Sequence, residues 1–187
     1  MLKSMLRPVV SLWERFFIWA YKVTPIEGSP HGLLRISAHP YKGKPETLSD
    51  GTRVLPGDYV LELHISNMII YTGNGADRKV ISGHEFLGPF RQEIANLAHL
   101  ARLGRLDSRV KAVWGVTMLG AGLKRLGFEL KPMEAGFCTK CLILWMNFLK
   151  WLYSPTQRSS AGKSKNPRRQ GYQYWLSIEQ LIEKYQK

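Results

Sequence analysis

The 187-residue chain has little cysteine, little acid and no long apolar run. Its two cysteines are too few for a disulfide-rich secreted scaffold, and without a second pair they do not complete a zinc site. No segment approaches the roughly 20 apolar residues that cross a bilayer. The apolar run near the N-terminus is also shorter than a signal-peptide core of about 7–15 residues. These absences predict a protein of a reducing compartment without a targeting segment.

Acidic residues are about half as many as basic ones, 14 against 27, so the net charge is +13. Hydrophobic residues make up 44% and charged residues 22%, which is ordinary globular composition and argues against wholesale disorder. The excess of cations favours an anionic membrane surface or an acidic envelope polymer as partner, with nucleic acid as the weaker alternative. We therefore expect a cytoplasmic protein held by charge at the inner face of the membrane. No cofactor is indicated.

Hydrophobic periodicity predicts an α+β fold in a single domain, 1–187. An N-terminal helix comes first, then an antiparallel β-rich half, then alternating helices and short strands. The helical pattern covers 6–21, 89–103, 119–126, 137–153 and 177–185. The strand pattern covers 33–38, 59–70, 111–117, 128–130 and 172–176. Between the last long helix and the last strand, residues 154–171 have the Ser, Gly, Pro and basic composition of a flexible loop.

Three local patterns make sharper structural predictions. Asp50-Gly51 predicts a hairpin with a type I′ turn, because glycine accepts a positive φ. The helix 137–153 is apolar on most of its circumference and is therefore expected to be buried. Ser177 and Gln180 fit a capping box, in which the hydroxyl and the amide satisfy two backbone N–H groups at the start of the last helix.

The strand that begins at Tyr59 carries the candidate catalytic residues. Successive strand side chains point to opposite faces, so Glu62 and His64 share one face, roughly 6.5–7 Å apart. A carboxylate beside an imidazole can orient it for general acid–base catalysis, and Asn67 continues the polar run. This pattern favours a hydrolase or transferase in which Asn67 positions the substrate. The competing interpretation is a solvated polar strand face.

Basic residues at two places are candidate anion-binding residues. Lys124 and Arg125 follow a glycine-rich strand-to-helix turn, whose backbone N–H groups could receive an anion. The turn lacks the spacing of a nucleotide P-loop, and close strand–helix packing also explains its glycines. The run 158–169 has five cations and no acid, which attracts phosphates, although a solubilising loop is the alternative. Its candidate residues are Lys163, Lys165, Arg168 and Arg169.

The N-terminal helix has aromatic residues among basic ones, which suits a helix lying in a membrane interface. The aromatic residues are Trp13, Phe16, Phe17 and Trp19, and the basic ones are Lys3, Arg7, Arg15 and Lys22. Docking of the same stripe on the protein core is the alternative interpretation.

Cys138 and Cys141 form a C-x-x-C pair at a predicted helix start, where the helix dipole lowers a thiol pKa. The strand that leads into a thioredoxin-like motif is missing, and the five histidines lack metal-ligand spacing. We therefore interpret the pair as ordinary helix residues and predict no metal site.

Several of these stretches together resemble the YkoP-like family of Gram-positive bacteria. They are Tyr41-Lys42-Gly43, Leu48-Ser49-Asp50-Gly51, the strand Gly57 to Asn67 with its Glu62-Leu63-His64, and Trp175-Leu176-Ser177 near Tyr185. The family occurs as small stand-alone proteins and as a C-terminal extension of polysaccharide deacetylases. The resemblance implies an accessory or binding module in bacterial cell-envelope polysaccharide or lipid-linked sugar metabolism at the membrane surface. It implies no reaction mechanism, and the cysteine pair is not part of the family pattern.

Overall fold

The computed structural model describes residues 2–65, 83–117, 120–134, 136–153 and 171–185. The fold is α+β, as predicted, with an N-terminal helix, a mixed sheet, and later helices and short strands. The described helices are α1 (Leu2–Ala20), α2 (Gly83–Arg102), α3 (Gly120–Arg125), α4 (Phe137–Tyr153) and α5 (Ile178–Lys184). The described strands are β1 (Thr24–Pro25), β2 (Leu34–Pro40), β3 (Glu46–Thr47), β4 (Arg53–Val54), β5 (Tyr59–Ile65), β6 (Val110–Thr117), β7 (Glu129–Pro132) and β8 (Tyr172–Ser177).

Six strands form one mixed sheet in the order β1-β2-β5-β6-β8-β7, and β3 pairs with β4 separately. Only the central pair, β5 with β6, is parallel among the strand pairs that the structure describes. Parallel neighbours need a long crossover, and α2 lies in the chain between these two strands. The part of the predicted strand 59–70 beyond Ile65 lies outside the described residues, as does most of the predicted loop 154–171.

One face of the sheet, which we call the helix-covered face, packs against α2, α3 and α5. Leucine and valine side chains of the central strands meet the apolar stripe of α2 and a leucine of α5 there, and all of these side chains are buried. The main contributors are Leu34, Leu61, Leu63, Val113, Leu176, Phe90, Ile94, Leu97 and Leu181. This cluster is the main hydrophobic core.

The opposite face, which we call the polar face, has two partial covers. At one end, Leu48 and Val54 of the β3–β4 hairpin pack with Val60 and Trp175. At the other end, the last turn of α1 lies against the sheet, where the buried Ser37 hydroxyl donates to the Tyr21 carbonyl at 2.6 Å. Between these covers, the polar side chains of β2, β5, β6 and β8 lie side by side.

Helix α4 is less buried than its composition predicts. It packs against α1 through a small cluster in which Val10 meets Leu149 and Leu152. Leu144, by contrast, is 71% exposed, and Trp145 is also exposed. The prediction of a buried helix is therefore wrong for this side, because the buried cluster of α4 in the described part of the chain joins it to α1 on one side only.

The β3–β4 hairpin has a different turn from the one predicted. Leu48 N–H donates to the Thr52 carbonyl, and Gly51 N–H donates to the Leu48 carbonyl, which closes a three-residue loop. Gly51 has a φ of 88°, whereas Asp50 does not adopt a positive φ. A type I′ turn needs two positive φ values, so this is a type I turn followed by a left-handed glycine. The Asp50 carboxylate accepts hydrogen bonds from Thr52, which hold Asp50 in the ordinary backbone region.

The capping box at the start of α5 is half formed. The Ser177 hydroxyl accepts the Gln180 backbone N–H at 3.0 Å, as predicted. The Gln180 amide donates instead to the Ser49 hydroxyl at 3.5 Å. The Ser177 hydroxyl also donates to the Asp50 carboxylate, so the start of α5 is joined to the hairpin as well as capped by Ser177.

Candidate functional site

Glu62 and His64 share the polar face and lie in contact, as the strand alternation predicts. The His64 Nε2 atom is 3.6 Å from Glu62 Oε2. The antiparallel register of β2 and β5 places Ser37 opposite Glu62, and it brings His39 to the same carboxylate. The His39 Nε2 atom is 3.0 Å from Glu62 Oε2. One carboxylate oxygen therefore lies between two imidazole rings, and we call these three residues the His–Glu–His cluster.

Each ring nitrogen of His39 faces a hydrogen-bond acceptor. Its Nε2 lies 3.0 Å from the Glu62 carboxylate, and its Nδ1 lies 3.1 Å from the Pro40 carbonyl oxygen. Both partners can only accept a hydrogen bond, so the ring donates to at least one of them. These two contacts hold the His39 ring beside the Glu62 carboxylate.

His64 is more buried than His39. Its side chain is 18% exposed, and the edge of its ring meets the Phe17 ring of α1 at 5.6 Å between centroids. Burial lowers the pKa of His64, the Glu62 carboxylate opposes this by raising it, and the neighbouring His39 lowers it further. Net, the pKa of His64 is lowered, which favours its neutral ring. The cluster thus places two imidazoles of different burial against one carboxylate.

Trp114 extends the cluster onto the next strand. It is the register partner of Glu62 on β6, and its ring meets the edge of the His39 ring at 6.0 Å. The Trp114 Nε1 atom is buried without a hydrogen-bond partner in the described structure, and so are His64 Nε2 and Gln173 Oε1. Gln173 lies on β8, opposite Val116 and therefore on the polar face. Trp175 Nε1, which is also unpaired, lies deeper, under the hairpin.

The other predicted site residues fall into two groups. Those that lie outside the described residues are Asn67, Lys163, Lys165, Arg168 and Arg169. Lys124 and Arg125 are exposed in the last turn of α3, and the glycine turn before this helix includes residues 118 and 119, which also lie outside the described residues. Within the described ranges, no three His, Cys, Asp or Glu side chains have a metal-binding arrangement. Cys141 is an exposed free thiol.

A shallow groove of about 490 Å³ lies at a separate place. It lies between the hairpin, β6 and α5, and Lys111, one of its lining residues, forms an ion pair with Asp58 at 2.8 Å. The groove does not include Glu62 or His64.

Two polar residues of the structure escaped the sequence reasoning. His39 lies one residue beyond the predicted strand, and only the β2–β5 register shows that it reaches Glu62. Glu93 is fully buried in α2 and accepts hydrogen bonds from Ser29, His31 and Leu33. The signal for Glu93 is its position, three residues after Phe90 on the apolar stripe of the helix.

A second candidate site is the outward side of α1. Its most apolar side chains face solvent, whereas Leu6, Val10 and Phe17 turn inward. The exposed ones fall within about one third of the helix circumference, taking 3.6 residues a turn. They are Met5, Val9, Leu12, Trp13, Phe16 and Trp19, and we call them the outer face of α1. Exposed Trp145 and Trp151 of α4 add to the apolar surface of the α1–α4 pair.

Comparison with known proteins identifies the family of the chain. The model of the YkoP domain matches residues 3–185. The chain belongs to the YkoP domain family. Among its YkoP relatives is "Uncharacterized protein YkoP" of Bacillus subtilis (strain 168), which is 24% identical over 125 residues, covering 65% of this chain and 68% of the relative. No solved structure matches the chain. In the described part of this YkoP domain, no helix is both long and apolar enough to cross a bilayer.

Proposed function

We propose that this YkoP domain binds the surface of anionic membranes through the outer face of α1. The observation that carries the proposal is the orientation of the helix, because its largest apolar side chains face solvent while only a narrow side packs on α4. Trp19 alone is 76% exposed. A monomeric protein rarely leaves a large contiguous apolar patch in water, and such patches typically mark interaction surfaces. An aromatic stripe of this kind suits the boundary between headgroups and acyl chains.

Charge complementarity supports a membrane as the occupant rather than another apolar protein. Arg15 and Lys22 are exposed on and beside α1, and Lys3 lies over the Trp151 ring at 5.2 Å. The chain carries a net charge of +13, and the acid-free run 158–169 begins five residues after the end of α4. Each cation near an anionic leaflet adds about 1 kcal/mol to binding. Apolar burial and charge therefore act in the same direction.

The role we propose at this surface is that of an accessory or binding module in cell-envelope polysaccharide or lipid-linked sugar metabolism. The resemblance to a family that also extends polysaccharide deacetylases supports this context. Lipid-linked sugars are handled at a membrane surface, so a peripheral module with an aromatic helix suits that place. The cytoplasmic face is the proposed side, because the two cysteines predict a reducing compartment.

Vesicle sedimentation tests the proposal directly. The protein should pellet with vesicles of equal phosphatidylglycerol and phosphatidylcholine, and much less with phosphatidylcholine alone, and added salt should weaken the binding. Trp19→Ser should weaken partitioning about tenfold or more, because it removes a large apolar side chain from the interface. Leu103→Ser, at an exposed leucine outside α1, is the matched control and should leave binding unchanged.

Two results would contradict the proposal. One is partitioning of Trp19→Ser equal to that of the unmodified chain. The other is binding to double-stranded DNA that exceeds binding to the vesicles and ignores Trp19, which would favour the nucleic-acid alternative.

The basic run is tested separately. Serine replacements at Lys163, Lys165, Arg168 and Arg169 should lower the salt-dependent part of vesicle binding if these residues contact headgroups. Unchanged salt dependence would make the run a solubilising loop and leave α1 as the binding element.

A further inference from the structure

The polar face has donors and acceptors that lie side by side and are only partly used within the protein. The imidazoles of His39 and His64 lie 3.0 and 3.6 Å from the same oxygen of Glu62. Trp114 lies beside Glu62 in the sheet register and touches the His39 ring. The three side chains of the His–Glu–His cluster remain 18–30% exposed, so the cluster is open to a ligand.

The unpaired polar atoms include a hydrogen-bond donor and a hydrogen-bond acceptor. Trp114 Nε1 can only donate a hydrogen bond, and Gln173 Oε1 can only accept one. Both are buried and lack a partner in the described structure, which is costly unless something else satisfies them. The Glu62 carboxylate accepts one hydrogen bond from His39, so it retains further acceptor sites. A complementary ligand must therefore donate and accept at neighbouring positions.

The charge of the cluster narrows the ligand class. Glu62 is the carboxylate of the cluster, and burial lowers the pKa of His64, which favours its neutral ring. An anion would meet the Glu62 carboxylate, and a cation would have to displace an imidazole that already contacts this carboxylate. The site thus differs from the rest of this basic chain, whose charge of +13 favours anions.

We propose that Glu62, His39, His64 and Trp114 form a binding site for an uncharged, hydroxyl-rich ligand such as an oligosaccharide. A hydroxyl group donates and accepts at the same oxygen, so it can donate to the partly exposed Glu62 carboxylate while it accepts from the partly exposed His39 ring. A side-chain shift that exposes the buried Trp114 Nε1 atom adds a second donor. The half-buried indole beside the cluster supplies an apolar surface for the C–H groups of a sugar ring. Glu62 is the central acceptor, because it is the residue that contacts both imidazoles.

This inference goes beyond membrane binding and uses different residues. The cluster lies on the sheet, where Phe17 of α1 meets His64, and the outer face of α1 is made of other, exposed side chains. A soluble oligosaccharide should therefore bind without vesicles, and the Trp19→Ser variant should bind it as the unmodified chain does.

Nuclear magnetic resonance of the ¹⁵N-labelled full chain tests the site. The probes are neutral oligosaccharides of glucose, galactose and N-acetylglucosamine, and sodium phosphate is the anionic comparison. The Trp114 indole N–H signal is assigned by its loss in Trp114→Phe. At least one oligosaccharide should shift this signal saturably, and phosphate should not. Glu62→Gln, which keeps the shape but removes the charge, should weaken binding about tenfold or more.

Glu134→Gln is the matched control, because Glu134 is an exposed carboxylate paired with Lys44 outside the cluster. It should bind the oligosaccharide as the unmodified chain does. The proposal is overturned if no oligosaccharide shifts the Trp114 signal or if Glu62→Gln binds equally well. It is also overturned if phosphate shifts the same signal with a lower dissociation constant than any of the oligosaccharides.

Discussion

On the helix-covered face of the sheet, Leu61 and Leu63 are buried against α2, whereas their chain neighbours Glu62 and His64 on the polar face stay partly exposed. One strand thus supplies both surfaces through simple alternation. The helix-covered face is filled by apolar side chains and the buried Glu93, which has hydrogen-bond donors on several residues. The polar face has unpaired donors and acceptors and partial covers. The comparison separates stability, which resides on one face, from the groups available to a ligand on the other.

The largest expected effect is on the helix-covered face. Leu97→Ala should lower the free energy of unfolding by about 2–5 kcal/mol, because Leu97 is fully buried in the main core. Urea denaturation measures the difference. Leu12→Ala, on the outer face of α1, is the matched control and should change stability by less than about 0.5 kcal/mol. Equal losses of unfolding free energy in the two variants would contradict the difference between the packed and the unpacked surface.

Glu93→Ala should cost about 2–3 kcal/mol of unfolding free energy. The change leaves the Ser29 hydroxyl and the backbone N–H groups of His31 and Leu33 without their carboxylate acceptor. Thermal or urea unfolding gives the value. Glu183→Ala, at an exposed position of α5, should be nearly neutral. An unchanged free energy of unfolding in Glu93→Ala would mean that these groups find other acceptors.

Gly115→Ala should cost about 1–3 kcal/mol. A Cβ atom there would collide with the hydroxyl of Tyr174, which donates to the Leu63 carbonyl at 3.0 Å. Gly88→Ala, which has open space around it in α2, is the matched control and should change stability by less than about 0.5 kcal/mol, because the gain in helix propensity is offset by the Pro89 that follows. Urea denaturation measures both variants. An unchanged stability of Gly115→Ala would show that the Tyr174 ring moves aside without cost.

The smallest effect is a pH dependence on the polar face. The folded-state pKa of His64 is lowered by burial below its ordinary value of 6.5, so the unfolded chain binds the proton more readily. Stability should therefore fall as the pH drops below about 6.5, and the loss should level off below the lowered pKa. His64→Gln should flatten this decline between pH 7.5 and 5, as followed by urea denaturation. His99→Gln, at an exposed histidine, should keep it, and a decline that is identical in His64→Gln would assign the dependence to other groups.

The fold was predictable from the sequence in segments where a single hydrophobic period, that of a helix or that of a strand, dominates. The stripe of α1 and the alternation in β5 identify the helix and the shared face of Glu62 and His64. His39 was not predictable, because its approach to Glu62 depends on which residues of β2 lie opposite those of β5. That register depends on which faces of β2 and β5 pack on α2, and the sequence around His39 does not show this.

Two other predictions, for α4 and for the hairpin turn, differ from the structure because the outcome depends on tertiary contacts. The composition of α4 indicates burial, but composition does not show how many neighbours a helix has. The Asp50-Gly51 pair indicates a hairpin correctly, but the hydrogen bonds that Asp50 accepts from Thr52 and from the distant Ser177 favour the longer loop. The family resemblance adds context from whole stretches of sequence, and it identifies neither His39 nor the exposed side of α1.

The position of β8 has a consequence for how the chain is made. β8 is the last strand in the sequence, yet it lies inside the sheet, hydrogen-bonded to β6 on one side and β7 on the other. A nascent chain therefore cannot complete its sheet until residues 172–177 have left the ribosome. Before then, β6 and β7 have open edges that can pair with other chains. A premature stop codon before Tyr172 would leave both edges open and give an aggregation-prone product.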